Sequence, residues 1–195
     1  MIAPHGGTLI NRLVEGDEAA TLLEKAAGLP ALVLNSREIS DLEMITVGAM
    51  SPLQGFMGQE DYQNVLENMR LADGTAWPLP VTLSTKDDNA APEVGAEVAL
   101  TGADGTIFGT MTVASVWEMD KEKELDLCFS GSAEKANHDH PAWGYLETLG
   151  NFFVGGTITV AALPSYEKHN DFRLTPTQTR AIFEEKGWET IAAFQ

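Results

Sequence analysis

Apolar positions in this chain fall into short runs, some at helical spacing and some continuous, cut apart by glycine and proline. Glu18 to Ala27 reads as a helix closed by Gly28 and Pro30, and Ala31 to Leu34 as a short apolar strand. Asn35 or Ser36 can cap a helix running to about Val47, with Leu42, Ile45 and Val47 among its apolar positions. Residues 51–58, SPLQGFMG, read as a compact loop, because Pro52 fixes φ while Gly55 and Gly58 accept angles that other residues avoid. A helix from about Glu60 to Met69 follows, then a turn at Asp73-Gly74. Trp77 to Leu83 is expected as a strand, placed at an edge or a sheet boundary by Pro78 and Pro80.

The middle is β-rich. Glu97 to Thr101 and Thr106 to Val116 flank a turn at Gly102-Ala103-Asp104-Gly105, which predicts a hairpin. Leu125 to Phe129 is expected as a strand with Cys128 as a small buried residue. The mixed-charge run Asp120 to Glu124 is expected as a solvated hairpin or strand flank. Pro141 to Leu149 reads as a helix entered near Asp139 or His140. Phe152 to Ala162 reads as a strand with a bulge at Gly155-Gly156. Thr175-Pro176-Thr177-Gln178 is a helix start, with Thr175 as cap, Pro176 at the first helical position and Gln178 closing a capping box; Gly187 ends it. Ile191 to Phe194 is expected as a buried strand. A helix followed by such a strand is α/β grammar, and the strand needs neighbours that do not follow it. The expectation is a domain cut within its first elements; the alternative is that this strand completes the preceding sheet.

Charge changes this picture more than composition does. Hydrophobic residues make up 44% and charged residues 21% of 195, a globular balance sufficient for a core. Twelve Lys and Arg against 29 Asp and Glu give −17, which repels phosphate backbones and excludes nucleic acid as an expected partner. Any anion site must be locally basic. One cysteine rules out an intrachain disulfide and fits a reducing compartment. The N-terminus lacks the charged and apolar regions of a secretory signal, and no run approaches 18 apolar residues, so the expectation is a soluble cytoplasmic protein with no membrane partner.

Candidate chemistry is sparse. His138-Asp139-His140 could place two imidazoles on one face, yet Pro141 follows and no second cluster at ligand spacing appears, so a helix entry is favoured and no metal is expected. His5 beside Gly6-Gly7 could touch a ligand, but a packed N-terminal arm is favoured. GxxxxGK[ST], GxGxxG and GxSxG are all missing from the sequence.

Five segments, in order, resemble the N-terminal region of the ATP sulfurylases (sulfate adenylyltransferases). They are HGGTLINR at 5–12, SREISDLEMITVGAMSPLQGFMG at 36–58, ENMRLADGTAWPLPVTL at 67–83, YLETLGNFFVGGTITV at 145–160 and TPTQTRAIFEEKGWETIAAFQ at 175–195. The resemblance implies an α+β fold: a PUA-like β-barrel or mixed sheet with flanking helices over residues 1–168, followed at 169–195 by the lead-in helix and first strand of a truncated α/β nucleotidyltransferase domain. It implies the reaction of ATP and sulfate to adenosine 5′-phosphosulfate and pyrophosphate, with MgATP as a substrate and no cofactor in this chain. Sulfate attacks the α-phosphorus in line, so catalysis rests on positioning and charge neutralisation. The family's strand ends in Gln-Thr-Arg-Asn-Pro, whose Gln and Arg contact sulfate. Only the first of these residues is present, as Gln195; no catalytic residue is expected in this chain, and by itself it is expected to be inactive. The full enzyme is expected to be a homo-oligomer. A stand-alone PUA-like binding or assembly module is the alternative.

Overall fold

A computed structural model describes residues 3–85, 91–130 and 137–193. The order is α1 (Gly16–Ala26), β1 (Ala31–Val33), α2 (Ser36–Thr46), β2 (Gly55–Phe56), α3 (Gln59–Asn68), β3 (Glu97–Thr101), β4 (Ile107–Glu118), α4 (Lys121–Phe129), α5 (Pro141–Thr148), β5 (Phe152–Val160) and α6 (Pro176–Glu185). The strands form one mixed sheet in the order β1-β3-β4-β5-β2, in which only β1 and β3 run parallel. The N-terminal arm joins its margin through a parallel bridge from Leu13 to Val160.

Local chemistry accounts for most of these elements. The Asn35 side chain accepts from the Arg37 and Glu38 amides, while Glu38 reaches back to the Asn35 amide, so both ends of the capping box are closed at α2. Thr175 and Gln178 repeat the device at α6, and Gly187 follows it at φ +65°. β3 and β4 form the expected hairpin, Glu97 opposite Thr112 and Thr101 opposite Ile107. Apolar side chains of β3, β4 and β5 meet those of α2, α3 and the 53–57 loop in the main core, with Ile45, Leu83, Leu100, Met111 and Ile158 fully enclosed. A second core gathers Tyr62, Trp117 and Phe153 with Leu125, Leu146 and Leu149. Its three aromatic rings sit 5.3–5.6 Å apart in tilted and edge-on pairs, the geometry that ring quadrupoles favour.

Five expectations are corrected. Leu125 to Phe129 is the second half of α4, not a strand: the Asp120 carboxylate accepts from the Lys123 amide and starts a helix that the next residues continue. The charged run before it is that helix's first turn, with Glu124 turned into the core. Trp77 to Leu83 forms no strand. Pro78 and Pro80 have no N–H to give a ladder, so the segment bonds irregularly: Trp77 N donates to Met69 O at 2.9 Å and Val81 N to Met57 Sδ at 3.4 Å, while Val81 O accepts from Met57 N at 3.0 Å and Leu83 O from Val154 N at 2.8 Å. The bulge beside Gly155-Gly156 lies on the partner strand, where Ala114 is the extra residue between Val113 and Ser115. Finally, residues 188–193 carry no regular structure, and Trp188 and Ile191 are about half exposed. Without an adjoining strand these backbone groups have no ladder to join. Phe194 lies outside the described residues.

Candidate functional site

After β5 the chain turns back across α2. Tyr166 donates a short hydrogen bond to the Glu43 carboxylate of α2, and the Arg173 guanidinium lies 3.3 Å from the centre of the Tyr166 ring. The Glu43 hydrogen bond holds the Tyr166 phenol above its ordinary pKa. This clasp anchors the segment leading to α6. Between α6, α2 and the N-terminal arm runs a groove of about 740 Å³. Met44, Val47, Leu163, Phe183 and Trp188 contribute its apolar surface; Arg173 and Arg180 bring cations, Glu43 and Glu189 carboxylates, and His5 an imidazole.

A buried polar node lies on the other side of α2. Glu38, 1% exposed, accepts from the Asn35 amide at 2.8 Å, the Ser84 amide at 3.0 Å and the Ser84 hydroxyl at 3.1 Å. Next to it the Arg37 guanidinium stacks 4.5 Å from the Tyr145 ring centre. Glu124 of α4 accepts from the Tyr62 hydroxyl at 2.8 Å. Arg37, Glu124 and Tyr145 line a cavity of about 60 Å³, room for a few water molecules.

Burial raises the Glu124 carboxyl above its ordinary 4.5, against the opposing pull of Tyr62 and Arg37. A carboxyl that binds its proton more tightly folded than unfolded stabilises the fold at low pH. That contribution is complete below 4.5 and is lost as the pH rises through the folded value. Glu124→Gln keeps an acceptor for Tyr62 and removes this loss. The variant is expected to show a higher urea midpoint than the parent at pH 7, the gap closing as the pH falls below 4.5. Unfolding curves across pH 4 to 8 check this, and a pH-independent gap would contradict the titration.

The histidines singled out in the sequence are engaged separately. His138 pairs with Glu122 at 2.9 Å, while His140 caps α5 by accepting from the Ala142 amide at 3.1 Å. The two rings therefore do not converge, and among the described residues no group of three His, Cys, Asp or Glu is placed to hold a metal. His5 bonds the Ala76 carbonyl at 2.7 Å and leans on Trp77, as a packed arm does. Burial in α4 pushes the Cys128 thiol up to about 11, so it stays protonated. Gln195 lies outside the described residues. Sequence reasoning missed Glu38 and Glu43. The pattern Asn35-x-x-Glu38 carried a local signal for the first; no local signal exists for a clasp between residues 123 apart.

Five further basic side chains among the described residues bond within the fold. Arg12 donates to the Ile158 carbonyl at 2.6 Å, Arg70 to Gly74 O at 3.0 Å and Lys121 to Leu149 O at 2.7 Å. Lys25 pairs with Glu97, and Lys123 with Glu67. Among the described residues no helix is long and apolar enough to cross a membrane.

Comparison with known proteins gives a consistent picture. The family description of a PUA-like domain matches residues 2–163. A sulfate adenylyltransferase of Desulforamulus reducens is 43% identical across all of this chain, which covers 50% of that protein. That of Symbiobacterium thermophilum is 41% identical, again over the whole chain and 48% of the relative. A solved structure, described as a hexameric APS kinase from Thiobacillus denitrificans, superposes with a TM-score of 0.72 at 30% identity, over 96% of this chain and 32% of that one. The chain thus spans about a third to a half of the length of the proteins it matches. A described fold of one mixed sheet with flanking helices, a family match over most of its residues and end-to-end similarity to these enzymes agree: the chain belongs to the PUA-like domain family, in the form that sulfate adenylyltransferases carry as their N-terminal part.

Proposed function

We propose that this chain serves as the N-terminal part of an enzyme that joins sulfate to the α-phosphate of MgATP, forming adenosine 5′-phosphosulfate and releasing pyrophosphate. The observation that carries this reading is the end-to-end similarity, at 40–43% identity, to sulfate adenylyltransferases. Residues 1–168 are the PUA-like domain, and 169–195 the lead-in to an α/β nucleotidyltransferase domain. In the whole enzyme Gln195 offers its amide to sulfate, a donor without the charge needed to hold that anion alone. In-line transfer to the α-phosphorus needs several cations converging on the phosphates. Arg12, Lys25, Arg70, Lys121 and Lys123 instead serve strands, loops and surface pairs far apart in the fold. The role of the described part is therefore support and assembly. The hexameric state named for the Thiobacillus denitrificans neighbour favours a homo-oligomeric enzyme. A charge of −17 disfavours nucleic acid as a partner, and the cytoplasm is the expected compartment.

The purified 195-residue chain is expected to release no pyrophosphate from MgATP above background when molybdate is supplied in place of sulfate. A coupled pyrophosphate assay tests this. Molybdate-dependent release by the chain alone would overturn the assignment of a supporting role.

A further inference from the structure

The small cavity between α2, α4 and α5 is lined by polar groups that the fold leaves short of partners. Arg37 of α2, Glu124 of α4 and Tyr145 of α5 reach it, and Leu79, Phe129 and Leu146 supply apolar wall. Glu124 is 7% exposed. Its Oε2 accepts from the Tyr62 hydroxyl at 2.8 Å, and among the described residues no donor meets Oε1. That oxygen is not sealed by side chains either. The enclosed side-chain polar atom without a partner, among the described residues, is Trp117 Nε1 in the second core. Oε1 therefore opens into the cavity that Glu124 lines.

The Arg37 guanidinium rests 4.5 Å from the Tyr145 ring centre, and its charge pulls on the Glu124 carboxyl without forming an ion pair with it among the described contacts. Stacking leaves the N–H groups in its plane free to donate. An enclosed water needs about 10–15 Å³ of free space and about two to four polar partners. The cavity offers about 60 Å³, and the carboxyl, guanidinium and phenol supply an acceptor and donors. A cavity walled by aliphatic side chains alone stays dry, and this one is not so walled.

We propose that this cavity is a water site, in which ordered water bridges Glu124 Oε1 to Arg37 and Tyr145 and gives the buried carboxyl its route for exchanging a proton with solvent. When Glu124 ionises, its proton passes to the bound water. The hydronium so formed gives that proton to bulk water at the mouth beside Leu79, which is 45% exposed. The electron pair of the broken O–H bond stays on the carboxylate, facing Arg37, which keeps its own protons throughout. Other titratable groups stand around the site. Tyr62 comes from α3, Asp120 and Cys128 share α4 with Glu124, and Glu38 and Asp41 lie on α2 with Arg37. His140 stacks on Phe129, 5.3 Å between ring centres, without lining the cavity. The 77–83 segment brings no titratable side chain. This role is separate from the reaction proposed for the whole enzyme.

Water-selective NOE spectra of the purified chain, with its leucine methyls labelled, test occupancy. Leu146 lines the cavity and is 1% exposed, so bulk water does not reach it. A cross-peak to Leu146 with the sign of a long-lived water is expected, and its absence would overturn the proposal. Ala142→Leu puts a larger side chain into the same space. It should abolish the cross-peak and raise the Glu124 midpoint, followed through the carboxyl carbon shift, by about one pH unit, because an ionised carboxyl is losing hydration. Gly144→Ala, on the same helix with open space around its β-carbon, should change neither. A folded Ala142→Leu protein with an unmoved midpoint would contradict the proton route, as would an equal rise in Gly144→Ala. A small anion is the competing occupant. A Glu124 midpoint that climbs with chloride, and not with sulfate at equal ionic strength, would assign the cavity to that anion and overturn the water site.

Discussion

Gly155→Ala is expected to destabilise the fold by about 3 kcal/mol, a large part of the ~5–15 kcal/mol that holds a typical domain together. A β-carbon at this position would lie 2.1 Å from the Met57 carbonyl oxygen and 2.6 Å from the Gly58 α-carbon. Both are backbone atoms, so no side chain can swing aside to make room. The 55–58 loop would have to lift from β5. That motion strains the pairing of Phe56 with Gly156 and the bond from Met57 N to Val81 O, which ties the 77–83 segment to the same loop. Gly156 is restricted in the same way from β4, its β-carbon falling 2.1 Å from the Thr112 oxygen. Urea unfolding followed by circular dichroism measures the loss. A shift below about 1 kcal/mol would mean that the loop yields and that the close approach is not what requires glycine here.

Glu38→Ala is expected to cost more, about 4 kcal/mol. The carboxylate receives three donors, of which the Ser84 amide and hydroxyl come from a residue 46 positions away. Truncation leaves these groups in a site that is almost fully enclosed, and each unsatisfied buried donor costs about 1–3 kcal/mol. It also opens half of the capping box that starts α2. Glu38→Gln keeps one acceptor oxygen but turns an NH2 toward donors, so a loss of about 2 kcal/mol is expected. Ser84→Ala removes a hydroxyl and leaves the amide bond intact, and should cost less than either. The order of urea midpoints across the three variants checks the account. A Glu38→Ala protein as stable as Ser84→Ala would show that the carboxylate does not bind these elements together.

These two residues also mark how far the sequence could be read. Glu38 lies three places after Asn35, a local signature, so α2 and its cap were legible, as was α6 from Thr175 and Gln178. The β3–β4 hairpin was legible from its Gly-flanked turn. The second partner of Glu38, by contrast, is set by tertiary folding, and neither Ser84 nor the Glu43–Tyr166 clasp leaves a periodic trace. α4 is not legible from Leu125 to Phe129 alone, because a short apolar run fits helix or strand equally. The decision lay upstream, in Asp120 as cap and the charged first turn. At Trp77 to Leu83 the two prolines interrupt the ladder outright, and the segment follows the sheet through scattered bonds on either side of them. Ile191 was expected to be buried because it is apolar, and in this chain its neighbours leave it half in water. Gly155-Gly156 does lie in a strand, but the bulge is opposite it at Ala114, and the glycines there serve a crossing backbone.

Under the proposed function this chain is a supporting, PUA-like part of a sulfate-activating enzyme, and the chemistry is carried by polypeptide that its relatives have in addition. Pyrophosphate release from MgATP with molybdate, measured on a fusion in which this chain replaces the matched segment of the Symbiobacterium thermophilum relative, beside the isolated chain, tests it most directly. Release by the fusion at a rate within about tenfold of the parent relative is expected, and none by the chain alone. A folded fusion without activity, or activity in the isolated chain, would contradict it.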